Sequence, residues 1–266
     1  MKTLCRIGML MLCAGTARAE IVDNFESYQL GTVPGGIWED ARHYVNGSTH
    51  TGDSVGVIQT TDAFGNPTQA VQILDHLGTS GGLVSRVEHT HIQHLEVDVR
   101  FDQFADGNVP NWMGAVGFYQ ENDGADLNSL PQAMVWASRN GRFRLFVHNT
   151  DEQGSSAETY GLGNSRWSLD TWYRISLEAD TINGSFNVQI VDLASGNLLL
   201  NATREVNDWD PTFGQYNLVS MNDGEYGDPL GSIANMASFD NVNYTPTPGS
   251  AILMLGGGVM LTRRRR

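Results

Sequence analysis

The sequence predicts an all-β domain, built as two antiparallel sheets packed into a sandwich. Three observations carry this. Residues 21 to 244 alternate apolar and polar side chains with period two and hold no stripe at helical spacing. Asn-Gly pairs at 140–141 and 183–184 separate such runs, which is the strongest short hairpin signal. No linker, repeat or low-complexity stretch divides the region. With further turns at Asp106-Gly107-Asn108 and Ser195-Gly196-Asn197, it is expected to fold as about a dozen strands in one sandwich.

Residues 1–19 stand apart from that domain. MKTLCRIGMLMLCAGTARA has a basic start (Lys2, Arg6), an apolar middle through Ala14, and Ala17-Arg18-Ala19 before Glu20. That is the three-part layout of a secretory signal peptide cut after Ala19. The domain follows at 20–245. Its ends echo each other, VDNFESY at 22–28 and FDNVNY at 239–244, so the first and last strands are expected to be neighbours. HLEVDVRF puts Leu95, Val97, Val99 and Phe101 on one face and Glu96, Asp98 and Arg100 on the other.

Two hairpins follow. At Asn140-Gly141, pairing Arg139 with Arg142 places Met134, Trp136, Phe143, Leu145 and Val147 on the core face. Arg144, Phe146 and His148 then share the opposite face with Val135 and Ala137, a mixture of cations and an aromatic suited to a ligand. At Asn183-Gly184, a two-residue turn pairs Ile182 with Ser185 and sets Leu177 opposite Ile190.

The chain ends in Pro246-Thr247-Pro248, an apolar run over 249–261 and four arginines, Arg263, Arg264, Arg265 and Arg266. About 13 helical residues reach ~20 Å of a ~30 Å hydrocarbon core, and three consecutive glycines weaken the helix. Such a segment is a poor permanent anchor and a serviceable address, engaging the membrane only in passing.

Both cysteines, Cys5 and Cys13, lie in the signal segment, so the domain is stabilised by its core without disulfides. The chain carries 16 basic and 30 acidic residues. Removing both end segments takes away Lys2, Arg6, Arg18 and the four terminal arginines. Nine cations then face 30 acids, a net charge near −21 with no lysine left. Nucleic acid and anionic lipid are excluded as partners of such a surface as a whole. Cations, neutral glycans or a calcium-rich matrix suit it better.

The two ends together resemble the PEP-CTERM sorting arrangement of Gram-negative bacteria, with Thr247 in place of the usual central glutamate. The resemblance implies signal peptidase and an exosortase-like protease as partners during export. It also implies cleavage near Pro246–Pro248 and delivery to the outer surface or extracellular matrix.

The run WSLDTWYRISLEADTINGSFNVQIVDLASGNLL (167–199), with the size of the domain, is similar to the concanavalin A-like lectin/glucanase jelly roll and its laminin-G-like members. That resemblance implies two curved sheets with a glycan-sized groove, in a superfamily of lectins, hydrolases, lyases and adhesive modules. Glucanases of this type carry Glu-x-Asp-x-Glu. Here Glu96 matches the nucleophile and Asp98 the middle position, but Arg100 stands where the acid/base belongs and cannot donate a proton. A lyase-type Tyr-x-Lys strand is missing.

The expected groove is therefore a binding surface for glycan or matrix polymer, lined by Glu96, Asp98, Arg100, Arg144, His148 and Trp112. A hydrolase using Glu96 and Asp98 is the alternative, and a structural matrix protein without a ligand is the third. Trp38 and Trp112, near loops, are placed to stack on sugar rings. The loops 121–129 and 221–229 are dense in hard oxygen donors, so Asp123, Asp126, Asp223 and Asp228 are the expected ligands of any calcium ion. His89, His91 and His94 read as surface histidines at a strand entry.

Overall fold

Val97 and Val99 of one strand meet Leu145 and Val147 of another across a dry interior, and the whole architecture follows from that alternation. The computed structural model describes residues 20–40, 54–75, 80–88, 92–104, 112–120, 131–138, 140–151, 154–180, 182–205, 216–224 and 235–246. Among them every regular element is a strand, so no described helix is long and apolar enough to cross a membrane.

Sheet I has eight strands. Seven run in the order β13 (Asn197–Glu205), β12 (Ser185–Asp192), β11 (Trp172–Asp180), β6 (Ile92–Gln103), β15 (Asn235–Pro246), β4 (Pro67–Asp75), β3 (Ser54–Thr61). The eighth, β1 (Ile21–Asp23), also pairs with β15. Sheet II runs β10 (Gly154–Arg166), β9 (Arg142–Asp151), β8 (Pro131–Ser138), β7 (Trp112–Gln120), β14 (Tyr216–Gly224), β5 (Ser80–Glu88), β2 (Glu39–Asp40). Every pairing is antiparallel, as in a jelly-roll sandwich.

The inner faces supply the core. Leu95, Val97, Val99 and Phe101 from β6 and Ile175 and Leu177 from β11 lie in one buried cluster with Val135, Phe143, Leu145 and Val147 from sheet II. Tyr173 packs edge-on against Phe143, centroids 5.5 Å apart.

The first and last strands do meet, Ile21 opposite Tyr244 and Asp23 opposite Val242. β4 flanks β15 only as far as Phe239, and β1 takes over at Val242. In that fork β15 bulges, with Asn241 at φ 47°. Beyond β1 the chain turns through Phe25, fully buried at φ 57°. Asp23 holds the turn, accepting from Phe25 N (2.9 Å), Tyr28 Oη (2.9 Å) and Trp38 Nε1 (2.7 Å).

Trp38 is therefore a buried strut, 3 % exposed, with no ring face open to a sugar. Burial, then the bond to Asp23 and its charge, pushes the Tyr28 hydroxyl up to about 12. Asp23→Ala is expected to cost about 3 kcal/mol by leaving these donors unanswered, read as a lower urea midpoint. In the milder Asp23→Asn, Tyr28 should titrate closer to 10 by ultraviolet absorbance.

Both hairpins differ from expectation, with unequal consequences. At Asn183-Gly184 the strands pair Asp180 with Ser185, so Leu177 faces Val188 and the loop has four residues rather than two. Asp180 organises that loop, accepting from Ile182 N (3.1 Å), Asn183 N (3.0 Å) and Asn183 Nδ2 (2.6 Å). A shift of two leaves every face as read.

At Asn140-Gly141 the strands pair Ser138 with Arg142 around a three-residue loop. Gly141 takes φ 76° and its N–H donates to the Ser138 carbonyl (2.9 Å). This shift of one turns β8 over: Val135 and Ala137 enter the core, and Met134 and Trp136 leave it.

Candidate functional site

The residues expected to line one groove occupy two opposite faces of the sandwich. Glu96, Asp98 and Arg100 project from the outer face of sheet I, because their neighbours Leu95, Val97, Val99 and Phe101 are in the core. Arg144 and the backbone of His148 belong to the outer face of sheet II. A single groove holding both sets is ruled out by the thickness of the core, about 10 Å from sheet to sheet.

The sheet I set is closed upon itself. Asp98 is 3 % exposed and takes a two-pronged contact from Arg174, Nε at 2.7 Å and Nη2 at 2.9 Å, plus Asn241 Nδ2 at 2.9 Å. Glu96 Oε1 lies 3.4 Å from the same Arg174 Nε, and its other oxygen accepts from Ser176 (3.2 Å). Arg100 pairs with Asp102, donates to Thr60 Oγ1 (2.7 Å) and lies 5.1 Å from the centroid of Trp172.

Trp172 in turn donates to the Thr61 carbonyl (2.8 Å). Thr60 and Thr61 belong to β3 at the far side of the sheet, so the end of the β3–β4 hairpin folds across this face. The acids are engaged with partners and roofed, an arrangement fitted to hold strands together.

Sequence reasoning missed the most perturbed group of this face. Asp240, in the β15 bulge, is 3 % exposed and opposite Asp98. Burial, with the nearby charges of Asp98 and Glu26, raises its pKa to about 7, against the pull of its hydrogen bonds from Asn241 N and Thr68. Thr68 Oγ1 lies 2.7 Å from Glu26 Oε1 and 3.3 Å from Asp240 Oδ2, so one hydroxyl proton serves two carboxyl groups. The echo of FDNVNY and VDNFESY was the available signal, since Glu26 and Asp240 come from those two segments.

The outer face of sheet II has the opposite character. Where alternation alone would leave polar side chains, Val84, Ala115, Met134 and Trp136 form a separate buried cluster with half-buried Phe146 against it. Trp136 is 8 % exposed and its ring lies 6.0 Å from Phe146. Burial on the side away from the core means that this cluster is covered, and half-buried Phe146 at its margin is the ring that solvent reaches. From β9 to β5 the cluster crosses five strands, about 19 Å at the usual ~4.8 Å spacing.

Arg144 stands directly across from Trp136, and Arg142 from Ser138. On the next strand Gly161 faces Arg144, and an added Cβ there would lie 3.7 Å from Arg144 Nη1.

Trp112 opens β7, with its side chain outside the described residues, as is that of His148. Asp123, Asp126 and Asp228 lie outside the described residues altogether, and Asp223 contributes only its backbone, opposite Gly81 in β14. No group of three or more His, Cys, Asp or Glu able to hold a metal occurs among the described residues. Ala19, Thr247, Pro248 and Arg263–Arg266 are also outside them, while Pro246 ends β15 opposite Gln93.

No family model matches the chain, and no curated protein matches it in sequence. Solved structures do match in fold. A lectin, UEA-II complexed with galactose, superposes with a TM-score of 0.51 at 9 % identity, over 85 % of this chain and 98 % of the lectin. A sialidase superposes with a TM-score of 0.50 at 12 % identity, over 88 % of this chain, which spans only 19 % of the sialidase. An alginate lyase, Aly36B, gives 0.45 at 14 % identity over 86 % of this chain and 97 % of its own. The fold is that of the lectin-like β-sandwiches.

Proposed function

We propose that the protein is a non-catalytic glycan-binding module, and that its ligand lies on the outer face of sheet II. The carrying observation is the margin of the covered cluster on that face, where the half-buried ring of Phe146 shares one face of β9 with Arg142 and Arg144. An accessible ring with few polar groups beside it is how sugar sites combine stacking with orientation. The lectin named above is described as complexed with galactose, which agrees with a glycan as the ligand class. We further propose the route: a signal peptide removed after Ala19, a sorting segment (246–266) recognised by an exosortase-like membrane protease during export, and delivery to the outer surface or extracellular matrix. Calcium, if bound, would engage the acidic loops at 121–129 and 221–229.

The test is retention of the full chain on gels containing β-glucans, galactans and acidic exopolysaccharides. Phe146→Ala is expected to weaken retention about fivefold to tenfold, the value of one lost ring contact, and Glu96→Gln to leave it unchanged. Release of reducing ends that vanishes in Glu96→Gln would replace this reading with a glycoside hydrolase. Retention insensitive to every change on sheet II would leave a structural matrix protein.

A further inference from the structure

Without its end segments the chain has nine cations against 30 acids, so an arginine on its surface should find a carboxylate easily. Arg100 and Arg174 do; they make every ion pair among the described residues. Four others instead gather where β9, β10 and β13 meet. Arg142 and Arg166 are directly opposite each other, a like-charge pairing that costs stability. Arg144 sits one alternation further along β9, opposite Gly161, whose carbonyl accepts from Arg204 Nη2 of β13 at 3.0 Å. Arg166 leans on the loop, its Nη1 3.3 Å from where a Cβ on Gly141 would stand.

This corner adjoins the ring of Phe146, since Arg142, Arg144 and Phe146 alternate along the outer face of β9. Like charges kept together in an acid-rich chain, with no described carboxylate beside them, weaken the fold and serve a ligand.

We infer that the ligand of this face is an anionic polysaccharide, a sugar ring against Phe146 and its carboxylate or sulfate groups held by Arg142, Arg144 and Arg166. The inference rests on the glycan-binding reading above and adds the charge of the ligand. Guanidinium groups meet such oxyanions in two-pronged contacts. At 0.15 M salt the Debye length is ~8 Å, so the net negative charge of the rest of the molecule is screened while direct contacts persist.

The experiment compares three polymers on the full chain at 0.15 M salt: polygalacturonate, the same polymer reduced to neutral galactan, and a sulfated galactan. The variants are the double Arg144→Gln/Arg166→Gln, which touches only exposed or half-exposed side chains, and Phe146→Ala. At least one charged polymer is expected to bind about tenfold or more tightly than the neutral one, and the double variant to erase that preference. Whichever charged polymer is preferred identifies carboxylate or sulfate as the group recognised.

Equal binding of charged and neutral polymers, unchanged in the double variant, would overturn the anionic ligand and leave the glycan-binding reading standing. Charged-polymer binding lost in the double variant but untouched by Phe146→Ala would keep the arginine corner and remove the ring contact at Phe146. Binding of none of the three would overturn both.

Discussion

Gly117→Ala is expected to destabilise the protein by about 3 kcal/mol or more, the largest effect of any single methyl group added here. A Cβ on Gly117 would lie 2.1 Å from the Ala133 carbonyl oxygen and 2.5 Å from the Met134 Cα. These are backbone atoms of the paired strand and cannot rotate aside. β8 would have to move off β7, and β8 carries both Val135 in the core and Trp136 in the outer cluster that supports Phe146. The variant should therefore lose stability and the integrity of the sheet II face together. Urea unfolding followed by tryptophan fluorescence gives the first, and polysaccharide retention below the transition gives the second. An unfolding midpoint within experimental error of the parent would show that β7 and β8 are not packed this closely.

Raising the pH from about 4 to about 7 is expected to lower stability through Asp240. Its carboxyl titrates near 7 when folded and near 3.8 when exposed in the unfolded chain. Between those values the unfolded state has released the proton and the native state still holds it. Stability then falls by at most about 1.4 kcal/mol per pH unit. Below the window both states are protonated and above it neither is, so this contribution flattens at each end. Asp240→Asn keeps the shape and removes the charge. The slope across the window should shrink and the variant should be the more stable at pH 8, by a few kcal/mol in order of magnitude. Melting temperatures at half-unit pH steps measure both. Parallel curves for parent and variant would place the titration elsewhere.

The sandwich was legible because its evidence is local. HLEVDVRF and WYRISLEAD state in their own alternation which side is buried, and β6 and β11 are buried on those sides. The two hairpins show where that legibility stops. Both Asn-Gly pairs mark turns, but side-chain hydrogen bonds that reach beyond the pair decide the loop length. Asp180 lengthens one loop. In the other, Ser138 donates to the Arg142 carbonyl (2.7 Å) and Asn140 Oδ1 accepts from the Arg142 N–H (3.2 Å). An error of two residues is harmless, whereas an error of one moves Trp136 from the core to the buried cluster on the outer face of sheet II.

The site was legible in composition and not in placement. The alternation that places Arg144 and Phe146 on one face is visible in the sequence, and both lie on the outer face of β9. Glu96, Asp98 and Arg100 look the same in sequence, as polar residues on an amphipathic strand. Only the partners brought by β3, β11 and β15 show that their charges are already answered. The arginine corner joins residues 142 and 204 across two sheets, a proximity that no local pattern encodes.

The position of β15 governs how the chain can fold. The last described strand lies inside sheet I, with β6 along one edge and β4 and then β1 along the other. Until residues 235–246 are available, β6 and β4 have an empty strand's width between them and β1 has no partner at all. Such long-range closure is slow, and it must wait for nearly the whole domain to leave the ribosome. A nascent chain that cannot close its own sheet stays threadable, which is what the export route proposed above would require.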